Sequence, residues 1–197
     1  VLDEADRMLD MGFINDMKLL MSFMPKERHT LFFSATLSRE IEVLIKDFLK
    51  EPVMVSVKTR DTSKDVEQDV VHIGQGQNKF DVLHDLLVQP EFHRVLVFGR
   101  TKHGVEKLAV ELDKRGFKAQ SIHGDKSQGQ RQRALDFFKK GMSQILVATD
   151  VAARGLDIAG VSHVINFDIP ETYDDYVHRI GRTGRAGAKG KALTFIG

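Results

Sequence analysis

Short apolar runs alternate with helical stretches along most of the chain, and this alternation predicts an α/β fold. Strands that are separated by helices are typical of a mainly parallel sheet. The pattern predicts strands at 30–33, 53–57, 70–74, 94–98, 118–122, 144–149, 163–167 and 192–196. It predicts helices at 15–23, 38–49, 79–87, 103–115, 127–140 and 172–180.

A polar, charged segment at 58–69 divides this pattern into two unequal parts. Residues 1–57 contain only two or three predicted strands, whereas residues 70–197 contain a nearly complete set for a domain of ordinary size. We therefore predict a linker at 58–69 between part of a first domain and a complete second domain. The sequence begins at Val1, inside an apolar run and without a methionine, which favours a piece of a longer protein.

Composition restricts the class of protein more than the kind of partner. Of the 197 residues, 42% are hydrophobic, and 29 basic residues balance 28 acidic ones. The chain has no cysteine, which excludes disulfides and thiolate metal sites and fits a reducing compartment. No apolar run approaches the roughly 20 residues that a membrane-spanning helix needs. We expect a cytoplasmic protein without a membrane partner.

Basic residues are concentrated in two stretches. Eleven Lys or Arg residues outnumber five Asp or Glu residues between 100 and 140, and residues 178–191 contain five basic residues and no acid. Such a surface suits a polyanion, although a solvated face would give the same count.

Three arginines recur at every third position beside glycines, with no acid close by in the sequence to neutralise them. They are Arg179, Arg182 and Arg185. A guanidinium is planar and permanently charged, which suits phosphate oxygens. An arginine that reaches a γ-phosphate stabilises the charge that develops during its transfer. The tract therefore indicates nucleoside triphosphate hydrolysis.

Two short tracts near the amino terminus supply carboxylates and hydroxyls. Asp3, Glu4 and Asp6 follow an apolar start, and Ser34 and Thr36 follow another apolar run. Ligands of α/β folds bind at the carboxyl edge of the sheet, where such acids can hold magnesium and orient a water molecule. Hydroxyls there can bond to a carboxylate and couple two elements. Taken singly, each tract would more often be a helix start or a helix cap.

Five tracts together carry a family resemblance. They are Asp3-Glu4-Ala5-Asp6, Ser34-Ala35-Thr36, His123-Gly124-Asp125 with Gln128 and Arg131, Ala148-Thr149-Asp150-Val151-Ala152-Ala153-Arg154-Gly155-Leu156-Asp157, and His178-Arg179-Ile180-Gly181-Arg182-Thr183-Gly184-Arg185. In order and spacing they resemble the DEAD-box RNA helicase family, from the second of its classical motifs to the last. The resemblance covers nearly the whole chain. It implies a RecA-like parallel sheet flanked by helices, with a partial first lobe at 1–57 and a complete second lobe at 70–197.

The resemblance also implies ATP, Mg²⁺ and RNA as ligands, and it assigns roles by position. Asp3 would hold Mg²⁺ through water, and Glu4 would activate the hydrolytic water. The remaining implied roles are interlobe coupling for Asp6, Ser34 and Thr36, RNA contacts for Gln128, Arg131, Thr149 and Gly155, a ribose contact for Asp157, arginine fingers for Arg182 and Arg185, and contact with the first lobe for His178. Backbone contacts of this kind position RNA without reading its sequence.

The family's phosphate loop, Gly-x-x-x-x-Gly-Lys-[Ser/Thr], does not occur in the sequence. Because that loop cradles the β- and γ-phosphates, we expect the 197-residue chain alone neither to bind ATP tightly nor to hydrolyse it. The apolar edges of a partial lobe predict that 1–57 associates with a second copy or with a separate piece of protein. Two alternatives stay open: a non-catalytic RNA-binding or interaction module, and a related DNA-directed helicase.

Overall fold

The computed structural model describes residues 1–56, 65–156, 158, 160–185 and 188–197. The chain divides into two compact units, an amino-terminal unit at Val1–Lys58 and a carboxyl-terminal unit at Thr59–Gly197. Most of the predicted linker lies outside the described residues.

The described part of the amino-terminal unit has three helices: α1 (Ala5–Asp10), α2 (Ile14–Ser22) and α3 (Arg39–Phe48). Helix α3 begins where its sequence predicts, because the Ser38 hydroxyl accepts a hydrogen bond from Ile41 N–H at 3.4 Å. The helices pack around a small core of Ala5, Met17, Ile41, Leu44 and Phe48. The predicted helices at 15–23 and 38–49 are confirmed to within one residue at each end.

The two strand predictions in this unit are wrong for the described residues. The run at 30–33 contributes a single parallel bridge, in which Phe32 pairs with Leu2, and residues 53–56 join no sheet. An apolar run becomes a strand only where a second backbone satisfies its N–H and C=O groups. The side chains of Phe33, Val53 and Val55 are exposed.

The described part of the carboxyl-terminal unit contains one six-stranded sheet. Its strands are β1 (Val66–His72), β2 (Val95–Phe98), β3 (Ala119–Ile122), β4 (Ile145–Ala148), β5 (His163–Asn166) and β6 (Gly190–Ile196). They lie in the order β1-β6-β5-β2-β4-β3, and every neighbouring pair is parallel. The predicted α/β class with a parallel sheet is confirmed. Because the strands run the same way, their carboxyl ends share one edge of the sheet.

Five further helices are described in this unit: α4 (Lys79–Leu87), α5 (Lys102–Lys114), α6 (Gln128–Lys139), α7 (Asp150–Ala153) and α8 (Tyr173–Ile180). Four were predicted, with bounds that differ by at most one residue. Helix α7 was missed, as was α1 in the other unit, because both are too short to show a helical repeat. No helix in the described part of the chain has the length and apolar character that a bilayer crossing needs.

The sheet buries apolar residues on both faces. Leu96 and Phe98 of β2 belong to one apolar cluster, and the intervening Val95 and Val97 belong to another. Since successive side chains of a strand point to opposite faces, each face of the sheet carries one cluster. This double burial explains why the central strands appear in the sequence as continuous apolar runs.

Strand β1 corrects a boundary of the sequence analysis. It starts at Val66, inside the predicted linker, rather than at residue 70, and it ends at His72. Among the described strands it pairs only with β6, as an edge strand does, and five of its seven residues, Glu67 to Val70 and His72, are exposed. An exposed edge strand tolerates polar residues, so its polar sequence resembles that of a linker.

Candidate functional site

The acidic tract follows the short parallel bridge of the amino-terminal unit. Leu2 N–H donates to Leu31 O at 2.8 Å, and Phe33 N–H donates to Leu2 O at 2.8 Å. Asp3 and Glu4 come next and are exposed, and Asp3 Oδ1 accepts a hydrogen bond from Glu4 N–H at 2.9 Å. Both carboxylates therefore lie at the carboxyl end of a paired segment, although the pairing is a single bridge.

Glu4 turns the chain from this bridge into helix α1 within one residue. Its backbone is left-handed, with φ 49° and ψ 45°, a conformation that costs a residue other than glycine about 1 kcal/mol or more. Its carbonyl accepts from Arg7 N–H at 2.9 Å and from Met8 N–H at 3.2 Å. The tight turn leaves the Glu4 side chain exposed at the start of α1.

Asp6 is the buried member of the acidic tract, with 6% of its surface exposed. Its Oδ2 accepts from Thr36 N–H at 3.1 Å and from Thr36 Oγ1 at 3.2 Å, and its Oδ1 accepts from Arg7 N–H at 3.1 Å. Ser34 Oγ donates to the Thr36 carbonyl at 2.7 Å. The expected bond between a carboxylate and a hydroxyl is present and joins α1 to residues 33–36. Its role in coupling two lobes stays a prediction.

In the carboxyl-terminal unit, two candidate tracts follow the neighbouring strands β3 and β4. Ile122 pairs with Ala148 at the ends of these strands, and Thr149 N–H donates to Ile122 O at 3.3 Å. Thr149 is half-buried and precedes α7, while His123 is buried. The tracts that begin at 123 and at 149 thus meet at one edge of the sheet.

Helix α6 presents its first turn to solvent next to this edge. Ser127 Oγ accepts from Gln130 N–H at 3.4 Å, and Gln130 Oε1 accepts from Ser127 N–H at 2.8 Å, which forms a capping box. Gln128 is exposed and Arg131 is half-buried. A helix N-terminus with an arginine in its first turns favours anions, which suits the implied RNA contacts.

Arg179 has an acidic partner that is distant from it in the sequence. It is 2% exposed, and its Nε and Nη2 donate to the two carboxylate oxygens of Asp150 at 2.6 and 2.7 Å. Its Nη1 donates to Asn166 Oδ1 at 3.2 Å and to Asp168 O at 2.6 Å, and its guanidinium lies 5.1 Å from the centre of the Phe98 ring. Arg179, for which the sequence predicted no role of its own, is a buried structural residue that joins α8 to the start of α7.

Arg182 and Arg185 lie beyond the end of α8. Arg182 Nη1 donates to Leu156 O at 2.8 Å, and Arg185 Nε donates to Gly181 O at 2.6 Å. Arg182 is half-buried and Arg185 is exposed. The first of these bonds links the arginine tract to the residues that follow α7.

The loop that carries these two arginines is packed tightly. Thr183 is 1% exposed, and its hydroxyl donates to Val161 O at 2.5 Å. A Cβ at Gly190 would lie 2.1 Å from Thr183 Oγ1, and one at Gly184, where φ is +66°, would lie 2.7 Å from Val66 Cγ2. Two glycines therefore let the loop close against β1 and β6.

The remaining predicted residues are distributed as follows. His178, on α8, is half-buried and lines a small cavity. The other residues of that cavity are Phe98, Asp150, Ala153, Arg154, Asp175, Arg179 and Arg182. Gly155 is exposed with φ +67°, a conformation that favours glycine. Asp157 lies outside the described residues.

Asp150 and Asp175 were missed as site residues by the sequence analysis. Asp150 pairs with Arg179, and Asp175 Oδ1 accepts from Arg154 Nη2 at 3.0 Å. A signal for Asp150 was present, because an acid that directly follows an apolar strand lies at the edge where a basic tract is expected. These two ion pairs connect the tract at 148–157 to α8.

Comparison with known proteins assigns both units. A family model described as "Helicase conserved C-terminal domain" matches residues 78–187, more than half of the chain, and one described as "DEAD/DEAH box helicase" matches residues 1–44. The chain belongs to the DEAD-box helicase family. The resemblance in the sequence is therefore confirmed, as is the RecA-like α/β class.

Named relatives and solved structures agree with this DEAD-box assignment. The chain is 51% identical over 197 residues to the DEAD-box ATP-dependent RNA helicase CshA of Geobacillus kaustophilus, and 50% identical to CshA of Bacillus subtilis. These matches take in 100% of the chain but only 42% and 40% of the relatives. A structure of S. cerevisiae Dbp5 bound to RNA and ADP BeF3 is 33% identical, with a TM-score of 0.83 over 99% of this chain and 52% of that one. A DEAD box protein from Methanococcus jannaschii is 42% identical, with a TM-score of 0.63 over 99% and 52%.

Proposed function

We propose that this DEAD-box chain is part of an ATP-dependent RNA helicase that couples ATP hydrolysis to RNA strand separation or remodelling. The observation that carries the proposal is the convergence of tracts at one sheet edge. Strand β4 leads to Thr149 and Asp150. Asp150 pairs with Arg179 on helix α8, and Arg182 follows the end of this helix. Because the chain spans about two fifths of the length of the CshA relatives, the complete reaction belongs to this proposal.

RNA is the ligand that we assign to the edge formed by β3, β4 and α6. Gln128 and Arg131 lie in the first turns of a capped, solvent-facing helix, and Thr149 begins the neighbouring tract. Gly155 has an open surface around its Cα, so a phosphate could approach its backbone closely. Contacts of this type hold the backbone of a strand without choosing its sequence.

ATP is the ligand that we assign to the arginine tract and to the acidic tract. Arg182 and Arg185 would act as arginine fingers that stabilise charge on the transferred phosphoryl group, and Asp157 would contact the ribose. Glu4 would orient the attacking water. The missing phosphate loop means that the 197-residue chain alone would not turn over ATP.

Magnesium fits the chemistry of Asp3, since this ion favours one or two carboxylates together with water and phosphate oxygens. Among the described residues, no group of three or more His, Cys, Asp or Glu could hold a metal by itself. As the family resemblance implies, Asp3 would hold the ion through water. When bound, the ion neutralises phosphate charge.

The test of this function is Glu4→Gln in the full-length protein. The amide keeps the size of the side chain but removes the base, so ATP binding should persist while RNA-stimulated turnover falls by about 10²-fold or more. Phosphate release gives the turnover, and a fluorescent ATP analogue gives the binding. RNA and DNA of one sequence are compared as stimulators.

The matched control is Asp10→Asn, an exposed acid at the far end of helix α1, which begins directly after Glu4. Its turnover should stay within about twofold of wild type, as expected for a surface substitution. Turnover near wild type in Glu4→Gln would contradict the role of Glu4. Equal stimulation by RNA and DNA would favour the DNA-directed alternative.

One observation favours a second candidate, a non-catalytic RNA-binding or interaction module. The tracts assigned to RNA all lie in the carboxyl-terminal unit, which has its own two apolar clusters. RNA binding by the 197-residue chain that falls steeply with salt and ignores ATP would support it.

Self-association and location remain proposals. An open cleft of about 710 Å³ in the amino-terminal unit is lined by charged residues and by apolar residues that include Leu31, Phe33, Val53 and Val55. Covering this apolar surface would favour association with a second copy. The cysteine-free sequence supports a cytoplasmic location.

A further inference from the structure

One carboxylate oxygen contacts three residues in or next to the segment that connects β3 to α6. Oε2 of Glu106, on α5, accepts a hydrogen bond from Ser121 Oγ and one from His123 Nε2 at 3.0 Å, and it lies 3.2 Å from Lys126 Nζ. Ser121 belongs to β3, His123 directly follows it, and Lys126 precedes the cap of α6. Glu106 therefore joins a strand end, a loop and a helix start.

The three donors leave the carboxylate little freedom. Ser121 and His123 are 2% and 6% exposed, so their positions are fixed by the sheet. An ionised carboxylate only accepts hydrogen bonds, so Nε2 of His123 carries a proton. No described group bonds to the other ring nitrogen, Nδ1, which is buried, so Glu106 provides the polar contact that orients this ring.

The charge of Glu106 is stabilised by the same contacts. Partial burial alone would raise its pKa, but the hydrogen bonds from Ser121, His123 and Lys126 and the charge of Lys126 outweigh burial and lower the pKa to about 2. Glu106 is thus ionised throughout the neutral range, and its bonds are charge-assisted.

A second, weaker contact lies nearby on the surface. Lys102 Nζ, from the first turn of α5, donates to Asp125 Oδ1 at 2.8 Å, and this bond lowers the pKa of Asp125. Both partners are half exposed, so the pair contributes little stability. Glu106 is therefore the main polar attachment of the connection to α5.

We propose that Glu106 is a positioning residue for RNA binding, which holds residues 123–127 so that the first turn of α6 presents Gln128 and Arg131 to the RNA backbone. The role rests on the proposed function, because it assumes that this edge binds RNA. Glu106 does not itself contact RNA: a negative charge at a phosphate-binding edge opposes binding. Its benefit is geometric and must exceed that repulsion.

Because repulsion of phosphate and positioning of α6 have opposite effects on RNA affinity, the variant Glu106→Gln distinguishes them. If only charge mattered, removal of the carboxylate would strengthen RNA binding. If positioning matters, the variant should bind roughly tenfold more weakly, as expected for loss of charge-assisted bonds. Binding of a fluorescein-labelled single-stranded oligouridylate to the 197-residue chain is measured by fluorescence anisotropy at several salt concentrations.

The matched control is Glu111→Gln, the same chemical change on the same helix. The side chain of Glu111 is 43% exposed, against 45% for Glu106. Its ion pairs with Lys114 and Arg115, however, are both 3.9 Å long and join only the end of α5 to itself and to the residue that follows. Its RNA affinity should stay within about twofold of wild type or rise slightly.

Two further measurements separate positioning from general stability. Amide hydrogen exchange should increase in residues 123–131 of Glu106→Gln but not in β4. In the full-length protein, the RNA concentration for half-maximal ATPase stimulation should rise roughly tenfold while kcat at saturating RNA stays within about twofold. If Glu106→Gln unfolds the unit, Ser121→Ala provides the test, because it removes one hydrogen-bond donor without a change of charge. Its RNA affinity should be about threefold lower than that of wild type.

The outcomes differ for the two proposals. RNA binding by Glu106→Gln that equals or exceeds wild type would overturn the positioning role while leaving the RNA function intact. Failure of the wild-type chain to bind RNA even at low salt would overturn the RNA function at this edge, and the role of Glu106 with it.

Discussion

The acidic tract at 3–6 and the basic tract at 178–185 share one arrangement in two separate units. Each has one buried charged residue, Asp6 at 6% exposure and Arg179 at 2%. Each also has charged members nearer the surface, Glu4 in the first tract and Arg185 in the second. Burial thus separates residues of one chemical type into those that hold the tract and those that can meet a ligand.

The two buried residues differ in how they are held. Asp6 accepts three hydrogen bonds, from the amide and hydroxyl of Thr36 and from the backbone amide of Arg7. Arg179 makes a bidentate ion pair with Asp150 and donates to two further oxygens. The basic tract is therefore fixed by a carboxylate at the start of α7, whereas the acidic tract is fixed by fewer bonds, which come from backbone amides and one hydroxyl. Substitution of the more exposed charged residues should therefore lower turnover, whereas substitution of the two buried residues should lower the free energy of unfolding.

The largest effect is expected at Arg182. Arg182→Ala in the full-length protein should lower RNA-stimulated turnover by roughly 10³-fold, the scale of a lost arginine finger, while folding stays close to wild type. Phosphate release at saturating RNA measures it. The control is Arg133→Ala, which changes an exposed arginine on α6. Equal turnover in the two variants would contradict a specific role of Arg182 in catalysis.

Next in size is Arg179→Ala, which leaves Asp150 without its partner in a half-buried position. Breaking such a pair should lower the free energy of unfolding by about 3–5 kcal/mol. The chain has no tryptophan and two tyrosines, and both lie on α8, so tyrosine fluorescence in a urea titration reports on this unit. Stability equal to that of Arg133→Ala would contradict the structural role.

A smaller effect is expected for Asp6→Ala. Loss of the side chain that accepts three hydrogen bonds should destabilise the amino-terminal unit by about 2 kcal/mol. The Thr36 amide should exchange faster with solvent. Hydrogen exchange followed by mass spectrometry measures this effect, and Asp6→Asn should restore part of the protection. Unchanged exchange at Thr36 would show that the acidic tract is not held in this way.

The smallest effect is a dependence of stability on pH that comes from Glu106, whose side chain is 45% exposed. Its pKa is about 2 in the folded protein and 4.5 without these contacts. The folded value is the lower one, so the stabilisation is present above about pH 4.5 and is lost as the pH falls toward 2. Urea titrations across this range should show a shallower dependence for Glu106→Gln than for wild type, and parallel curves would contradict the assignment.

Sequence patterns predicted the elements that bury their own apolar residues. Helix α4 has its predicted bounds, and β2 and β4 differ from theirs by one or two end residues, because each is a continuous apolar or amphipathic run. Strand β1 was misplaced because an edge strand is polar, and the run at 30–33 lacked a ladder because strand formation depends on a partner.

The candidate site was predicted in part for a similar reason. Local tracts identified Asp3, Glu4 and the arginines as residue types, and apolar strands placed Thr149 at an edge. The partnership of Arg179 with Asp150 joins positions 29 residues apart, and that of Glu106 with Ser121 joins positions 15 apart. Long-range pairing of this kind depends on the order of strands in the sheet, which no local pattern contains.

Glu4 shows that stability and chemistry oppose each other at one residue. Its left-handed backbone is a conformation that glycine would adopt without strain, so the glutamate makes the unit less stable by about 1 kcal/mol. Folding alone would favour glycine at this position. This cost is consistent with the proposed role of the Glu4 side chain in ATP hydrolysis, which the Glu4→Gln variant tests.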